Sequence, residues 1–204
     1  MPQSRERRTP GLRARNKART RALVQHEAFE LFRRQGYDAT TIDQIVAAAD
    51  ISESTFFRYF PTKEAVVLTD EFDPLIAAAF RDQPPEVSVV TALRAAIRIT
   101  AAAMSLEELG DIRFRAALIW QVPALRAAAL TQLSDTLELV AQLVSERLDR
   151  PADDLQVLTF AGAVIGISIA LMTSWAETPN ADLLATFDDA LALLDAGLPL
   201  HRSA

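Results

Sequence analysis

The sequence predicts an all-α protein of about nine helices, with three N-terminal helices followed by a larger helical bundle. Apolar residues recur three and four positions apart through most of the 204 residues, which is the period of an α-helix. Proline and glycine separate these stretches, and no stretch alternates polar and apolar residues as a half-buried strand does. Half of the residues are apolar, which is enough to fill the core of such a bundle.

The chain opens on a basic stretch that contrasts with an acidic remainder. Residues 1–63 carry twelve Lys and Arg against seven Asp and Glu, a net charge of +5, whereas residues 64–204 carry nine against twenty, a net charge of −11. Residues 1–16 are rich in arginine and poor in apolar side chains, so we expect a disordered arm there. Such an arm either follows the phosphates of a polyanion or is a solvated tail, and both alternatives stay open.

Two helices are predicted after the arm. The first runs from about residue 17 to residue 35, and Val24, Ala28 and Phe32 form its apolar stripe. Gly36 follows as its C-terminal cap. The second begins at Thr41, because Thr41 and Gln44 have the spacing of a capping box, in which each side chain bonds the other residue's backbone N–H.

A sharp turn and a third, short helix come next. Asp50 tolerates a positive φ better than most residues, and Ser52 can cap a helix over Glu53 to Phe60 that Pro61 ends. Phe56 and Phe60 lie four residues apart, so both should face a small core. This arrangement is typical of a helix-turn-helix, whose second helix enters the major groove of DNA.

The outward face of the third helix has the chemistry for reading DNA. The Arg58 guanidinium can pair with guanine O6 and N7, and Ser54 and Thr55 can reach base edges or phosphates. Glu53 either accepts a hydrogen bond from a cytosine amine or only favours the helix dipole, and we weight the structural role more.

Residues 21–68 resemble the DNA-binding domain of the TetR family of bacterial regulators. The matching residues are Thr20-Arg21, Leu31-Phe32, Gly36-Tyr37, Thr40-Thr41-Ile42, Ile45, Ala49, Ile51-Ser52, Thr55-Phe56, Arg58-Tyr59-Phe60, Lys63-Glu64 and Leu68. Asp50 stands where the family usually has glycine, and Phe57 where tyrosine is commoner, which puts one phosphate contact in doubt.

The resemblance implies a homodimer that binds a palindromic double-stranded DNA operator. It assigns residues 17–62 to a DNA-binding domain and residues 63–204 to a ligand-binding and dimerisation domain. Thr41, Tyr59 and Lys63 are then phosphate anchors. The full set of candidate DNA-binding residues is Arg21, Thr41, Ser52, Glu53, Ser54, Thr55, Phe57, Arg58, Tyr59 and Lys63.

The remaining helices are predicted from breaks in the apolar pattern. A fourth helix starts at Thr62 and continues to about Phe72, with Pro74 ending or kinking it, and residues 81–85 form a turn. Gly110 is expected to end the next helix. The later helices are predicted at residues 87–108, 112–120, 124–148, 153–177 and 181–197.

The helix predicted over residues 153–177 has no charge between Leu155 and Ala176 and is long enough to span a bilayer. Acidic residues at both ends and several polar residues within it favour a helix buried in the core of a soluble dimer. In the TetR family the last two helices form the dimer interface, so the resemblance implies the same here.

The resemblance also implies a ligand cavity in the C-terminal domain, filled by a small hydrophobic effector. The candidate lining residues are Met104, Phe114, Leu118, Trp120, Gln121, Met172 and Trp175, although each is individually more typical of plain core. The segment from Val122 to Arg126 is similar to a subgroup that includes regulators of mycofactocin gene clusters. That similarity implies a fatty acyl-coenzyme A or a related lipidic ligand.

The sequence offers little support for an enzyme. The chain has no cysteine, no histidine cluster with metal-ligand spacing, no glycine-rich phosphate loop and no nucleophile elbow, so we expect no cofactor and no metal. The arginine-rich start is not followed by a secretory apolar region, and a bacterial cytoplasm is the expected setting. A DNA-binding regulator with no small-molecule effector remains the alternative to a ligand-responsive repressor.

Overall fold

The computed structural model describes residues 12–69, 72–177 and 182–199. These residues form ten α-helices, and no strand occurs among them. The chain divides into two compact units, one that ends at Val67 and one that begins at Leu68. The prediction of an all-α protein is confirmed.

The first unit contains α1 (Leu12–Gln35), α2 (Ile42–Ala48), α3 (Glu53–Tyr59) and α4 (Lys63–Leu68), although Leu68 itself falls in the second unit. Helix α1 begins earlier than expected, so residues 12–16 are helical and do not belong to a disordered arm. Leucine, arginine and alanine favour helix strongly, and they fill this segment as soon as Pro10 and Gly11 are passed. The rest of the predicted arm lies outside the described residues.

The predicted caps of α2 and α3 are confirmed. The Thr41 backbone N–H donates to Gln44 Oε1 at 2.9 Å, and the Gln44 N–H donates to Thr41 Oγ1 at 3.3 Å, which completes the capping box. The Ser52 hydroxyl accepts from the Thr55 N–H at 3.2 Å. Asp50 has a φ of 49°, so the turn between the two helices takes the left-handed conformation that the sequence predicted.

One small core holds these four helices together. Val24 of α1, Ile45 of α2, Phe56 of α3 and Val66 of α4 are fully buried. Gln25 on α1 also donates a hydrogen bond from Nε2 to the carbonyl of Val66 at 2.9 Å, which ties α1 to α4. Short helices are marginal alone, so this shared core stabilises α2, α3 and α4 in place.

The second unit contains six helices. They are α5 (Phe72–Arg81), α6 (Val89–Ala102), α7 (Leu106–Gln121), α8 (Pro123–Leu148), α9 (Leu155–Glu177) and α10 (Leu183–Asp195). The last three agree with the predicted positions to within a few residues. Pro123 occupies the first turn of α8, where a missing N–H costs nothing.

Two predicted helix boundaries are wrong. The expected helix from Thr62 to Phe72 is instead α4, which ends at Leu68, and a separate α5 in which Pro74 lies in the first turn. Proline is tolerated there because the first N–H groups of a helix have no partner within it.

The second wrong boundary is the expected helix end at Gly110, which lies inside α7. Ser105 and Glu108 form a second capping box, with the Ser105 N–H donating to Glu108 Oε2 at 2.8 Å and the Glu108 N–H to Ser105 Oγ at 3.1 Å. This cap starts α7 at Leu106 and outweighs the helix-breaking tendency of one glycine, about 1 kcal/mol.

The core of the second unit is shared by five of its helices. Phe80 of α5, Leu93 of α6, Leu143 of α8, Val164 of α9 and Leu191 of α10 are buried in one cluster. A smaller cluster between α8 and α9 contains Ala141, Val144, Val157 and Ala161.

One arginine organises the loop between α5 and α6. Arg147 of α8 donates hydrogen bonds to the carbonyls of Gln83, Pro84 and Val87, and its guanidinium lies 5.4 Å from the centre of the Phe80 ring. The predicted turn at residues 81–85 is thereby held against α8.

A charged clamp joins α6 to α10. Asp188 accepts two hydrogen bonds from Arg94, at 2.9 and 2.8 Å, and two from Arg98, at 3.1 and 2.6 Å. The Asp188 side chain is only 18% exposed, so solvent screens it weakly. The hydrogen bonds from Arg94 and then Arg98 hold the pKa of Asp188 well below its usual range.

One helix among the described residues is long and apolar enough to cross a membrane. It is the segment Leu155–Ser174 of α9, of which 22% is buried within the chain. The pair α6 and α7 passes the same test jointly, but the two helices meet at an angle of 117°. One such helix is weak evidence for a membrane span, because the core helices of soluble proteins pass the same test.

Replacing Asp188 by Asn should lower the free energy of unfolding at pH 7 by about 1.5–3 kcal/mol, because the bonds to two guanidinium groups lose their charge. Since the folded-state pKa is depressed, this contribution is complete above the unfolded pKa of about 3.9. It declines as the pH falls toward the folded pKa.

Urea unfolding of both proteins at pH 7 and pH 3 measures this difference. The matched control is Asp189→Asn, an exposed neighbour on α10. A loss of unfolding free energy in Asp188→Asn that is larger at pH 3 than at pH 7 would contradict the stabilising role of the ionised Asp188.

Candidate functional site

Helix α3 is anchored on one side and open on the other. Phe56 and Phe60 are fully buried, whereas Glu53, Ser54, Phe57 and Arg58 are exposed and Thr55 and Tyr59 are half-buried. Buried and exposed positions alternate with the helical period, so burial of the two phenylalanines directs the rest of the helix outward.

Hydroxyl groups cluster at the start of α3. Ser52 Oγ lies 3.0 Å from Ser54 Oγ and 2.8 Å from Thr55 Oγ1. Each hydroxyl can donate or accept, so the cluster can redistribute its hydrogens toward a phosphate or a base edge. Glu53 lies in the same first turn, where its charge favours the helix dipole.

Two further side chains define the C-terminal half of the surface. The Arg58 guanidinium carbon lies 5.0 Å from the centre of the Tyr59 ring, which restricts the arginine through a cation–π contact. Phe57 is 45% exposed and meets Phe56 edge to face, with ring centres 5.4 Å apart. An exposed aromatic ring without a polar atom can make apolar contacts but donates no hydrogen bond.

Thr41 and Arg21 lie on neighbouring helices of the same unit. Thr41 is exposed at the N-terminus of α2. The guanidinium of Arg21 on α1 lies 5.9 Å from the centre of the Phe60 ring. Both are in the part of the chain that carries α3, and their roles as DNA contacts stay predictions.

Lys63 has a structural task that the sequence did not reveal. Its Nζ donates to the carbonyls of Tyr37 and Thr40, each at 2.9 Å, and lies 4.1 Å from the centre of the Tyr37 ring. Two of its three hydrogens are therefore used within the unit, and one is left for a phosphate.

The same tyrosine carries a second bond across the unit. Tyr37 Oη donates to Glu64 Oε1 at 3.1 Å. Burial, and after it the charge of Glu64, raises the pKa of Tyr37. The pKa of Glu64 is lowered, mainly because its carboxylate accepts a hydrogen bond from the Glu64 backbone N–H. The phenol therefore stays protonated and the carboxyl ionised, which maintains the bond from α4 to the loop that precedes α2.

The two larger cavities of the second unit adjoin each other. The larger has a volume of about 450 Å³ and is bounded mainly by α7, α8 and α9. Its lining is mostly apolar, and we name it the polar chamber only because Arg126, Gln132 and Asp135 add polar side chains to its wall. The smaller, the apolar chamber, has a volume of about 230 Å³ and is bounded by α5, α6, α9 and α10 with parts of α7 and α8. The chambers share the side chains Asp73, Ile112, Arg115, Thr136, Ile165, Ser168 and Met172.

Three of the predicted ligand residues line these chambers. Met104 lines the apolar chamber, Trp120 the polar chamber, and Met172 both. The side chain of Trp175 lies outside the described residues.

Phe114, Leu118 and Gln121 are described and lie off the walls, because of the helical phase of α7. The residues of α7 that do line the chambers are Ile112, Arg115, Ala116, Ile119 and Trp120, which recur at three- and four-residue spacing on one face. Phe114, Leu118 and Gln121 recur at the same spacing on the opposite face of α7. Choosing residues by side-chain type rather than by helical phase therefore left Arg115 off the list of lining residues.

Arg115 and Trp120 are two side chains with polar groups on the walls of the chambers. Arg115, at the junction of the chambers, donates from a guanidinium nitrogen to the Thr69 carbonyl at 3.2 Å, so it also holds the segment that follows α4. Trp120 Nε1 is buried and finds no acceptor among the described residues.

The first unit has a helix-turn-helix whose second helix turns charged side chains outward, and the second unit is a helical bundle with cavities. This combination is typical of bacterial DNA-binding transcriptional regulators. The family profiles agree. Residues 26–69 match "Bacterial regulatory proteins, tetR family", and residues 87–199 match "MftR C-terminal domain". The second match alone covers more than half of the chain, so the chain belongs to the TetR family of transcriptional regulators.

Individual relatives are consistent with this assignment. The chain is similar to the HTH-type transcriptional regulator TcmR of Streptomyces glaucescens, with 31% identity over 89% of this chain and 85% of TcmR. The Thermus thermophilus repressor FadR in complex with lauroyl-CoA has a TM-score of 0.54 and 26% identity, over 90% of this chain and 97% of FadR. Bacillus subtilis FadR with stearoyl-CoA, at 18% identity and a TM-score of 0.59, shares the fold over 88% and 99%.

Replacing Lys63 by Met should destabilise the protein by about 1.5–3 kcal/mol, because two carbonyls lose a charged donor. Lys17→Met, at an exposed position of α1, removes the same charge and should change stability by no more than about 0.5 kcal/mol. Urea unfolding measures both. Equal effects of the two substitutions would leave Lys63 without a structural role.

Proposed function

We propose that this protein is a dimeric, ligand-responsive transcriptional repressor that binds a palindromic operator and is released from it by a small hydrophobic effector. In this proposal, residues 17–62 are the DNA-binding domain and residues 63–204 the ligand-binding and dimerisation domain. The observation that carries it is α3, which turns Ser54, Phe57 and Arg58 outward from a buried anchor.

The DNA-binding face combines reading and positioning groups. Arg58 is the best base reader, because a guanidinium can donate two parallel bonds to guanine. The hydroxyls of Ser54 and Thr55 reach phosphates or bases, and Thr41, Tyr59 and Lys63 anchor phosphates. A net charge of +5 over residues 1–63 strengthens each of these contacts and makes them salt-dependent.

Two cavities support a ligand response rather than a regulator without an effector. At about 450 Å³ the polar chamber alone has the size of a typical small-molecule site. The similar Thermus thermophilus FadR was crystallised with lauroyl-CoA, which supports a fatty acyl effector here. Arg115 lines both chambers and bonds to Thr69, so a ligand that draws this guanidinium inward would break a bond in the segment following α4.

The exposed face of α9 supports dimerisation. Leu155 is 79% exposed and Leu158 42%, and Gly162, Gly166 and Ala170 continue the same uncharged stripe. Leu193 of α10 is also 54% exposed. Contiguous apolar surface of this kind marks an association site, and small residues let two helices approach closely. Two-fold symmetry then places two copies of α3 on half-sites roughly 34–36 Å apart.

The operator is obtained by selecting duplexes from a random pool with the purified full-length protein. Replacing Arg58 by Ala should weaken binding to the selected operator by about 1–3 kcal/mol and relax the preference at one base pair in each half-site. Arg34→Ala, an exposed position at the end of α1, removes the same charge away from α3. Fluorescence anisotropy gives the ratio of the affinities for the operator and for a scrambled duplex. If Arg58→Ala leaves that ratio unchanged, Arg58 does not read a base.

Gly166→Leu tests the dimer. A Cβ at Gly166 meets no atom within 4 Å in the single chain, so the substitution should leave the monomer folded. Against a partner helix the larger side chain should cost about 1–3 kcal/mol of association free energy. Gly110→Leu, equally open but on α7, should stay dimeric. Sedimentation velocity distinguishes the two, and an unaltered dimer in Gly166→Leu would rule out this face.

A further inference from the structure

Phe57 places an apolar ring on the surface of α3 that the proposed function turns toward DNA. The ring is 45% exposed, although its neighbour Phe56 is fully buried. Residues three and four positions apart share a face of a helix, so Ser54 has Phe57 on one side and Arg58 on the other. The hydroxyl and guanidinium groups of this surface have hydrogen-bonding partners on DNA, whereas the phenyl ring needs a partner of a different kind.

The ring of Phe57 is held from beneath. It meets the ring of Phe56 edge to face at an angle of 90°, with ring centres 5.4 Å apart. Aromatic pairs prefer this arrangement, and the buried partner cannot move away. Phe57 therefore presents a fixed apolar surface, and little conformational freedom is left for it to lose when DNA binds.

The major groove offers one group that matches such a surface. The nitrogen and oxygen atoms on the base edges donate or accept hydrogen bonds, and the C5-methyl group of thymine is the apolar substituent among them. A phenyl ring makes no hydrogen bond, so packing it against a polar base edge removes water without replacing the lost bond. Packing it against a methyl group instead buries two apolar surfaces together.

We propose that Phe57 is a specificity-determining residue that recognises the methyl group of one thymine in each half-site of the operator. This inference rests on the proposed function and names a base that the protein reads by apolar contact rather than by hydrogen bonding. Phe57 discriminates thymine from cytosine and from the purines, because only thymine presents a methyl group to the major groove.

The test uses the full-length protein and the operator obtained by duplex selection. Each thymine of the half-site is replaced in turn by deoxyuridine, in both half-sites together, which removes the methyl group and keeps every donor and acceptor. Fluorescence anisotropy gives the dissociation constant of each duplex. At one position the replacement should weaken binding about fourfold for each half-site, the effect of exposing one buried methyl-sized group.

Phe57→Ala should abolish this uracil penalty at that position, because the mutant has no ring for the methyl group to contact. Phe57→Leu keeps an apolar side chain and should retain part of the penalty. The matched control is Leu23→Ala, which removes a 44% exposed apolar side chain from α1 and should leave the full penalty in place.

A second duplex returns the methyl group on a different base. At the same position, a 5-methylcytosine·guanine pair should bind the wild-type protein more tightly than a cytosine·guanine pair, since the two pairs differ by the methyl group alone. In Phe57→Ala the two pairs should bind equally.

Three results would overturn the inference: a selected half-site without thymine, wild-type binding that no uracil replacement weakens, or a penalty that is the same in the wild type and in Phe57→Ala. Equal weakening of operator and scrambled duplexes by Phe57→Ala, without any uracil penalty, would place the ring against the sugar–phosphate backbone instead. A protein that binds its operator and gives one of these results loses this inference and keeps the proposed function. A protein that selects no duplex loses both.

Discussion

Burial of Phe56 and Phe60 is the constraint on which the DNA-binding surface depends. Helix α3 has only seven residues, too few to be stable alone, so the core beneath it decides both its existence and its orientation. Because these two rings are fully buried, the helical period turns the side chains between and before them toward solvent. The packing of its neighbours thus turns Arg58 outward, and the cation–π contact with Tyr59 restricts its guanidinium.

Hydrogen bonds from two adjacent side chains of α4 fix the loop that precedes α2. Lys63 and Glu64, adjacent on α4, bond to the loop that precedes α2 from two directions, one through carbonyls and one through the Tyr37 phenol. The cation that resembles a phosphate anchor is therefore also a structural part of the unit. A residue with both tasks makes loss of DNA affinity hard to attribute unless stability is measured as well.

The second unit shows how one helix can serve structure and recognition at once. One face of α7 supplies Arg115 and Trp120 to the chambers, while Leu118 is buried away from them. Arg115 bonds to Thr69 from the same face, so the chamber wall and the segment after α4 share a side chain. The clamp on Asp188 fixes α10 to α6 independently of the chambers.

The sequence by itself determined what depends on residues a few positions apart. The capping box at Thr41, the left-handed turn at Asp50 and the buried pair Phe56 and Phe60 all follow from local hydrogen bonds and helical spacing. The start of α7 also rests on a local signal, the capping box of Ser105 and Glu108, which the sequence analysis overlooked. Only the tertiary structure decided the separate helix α5 and which face of α7 meets the chambers. Those features depend on how distant helices pack together, and a pattern of apolar residues does not specify the partner against which each face is buried.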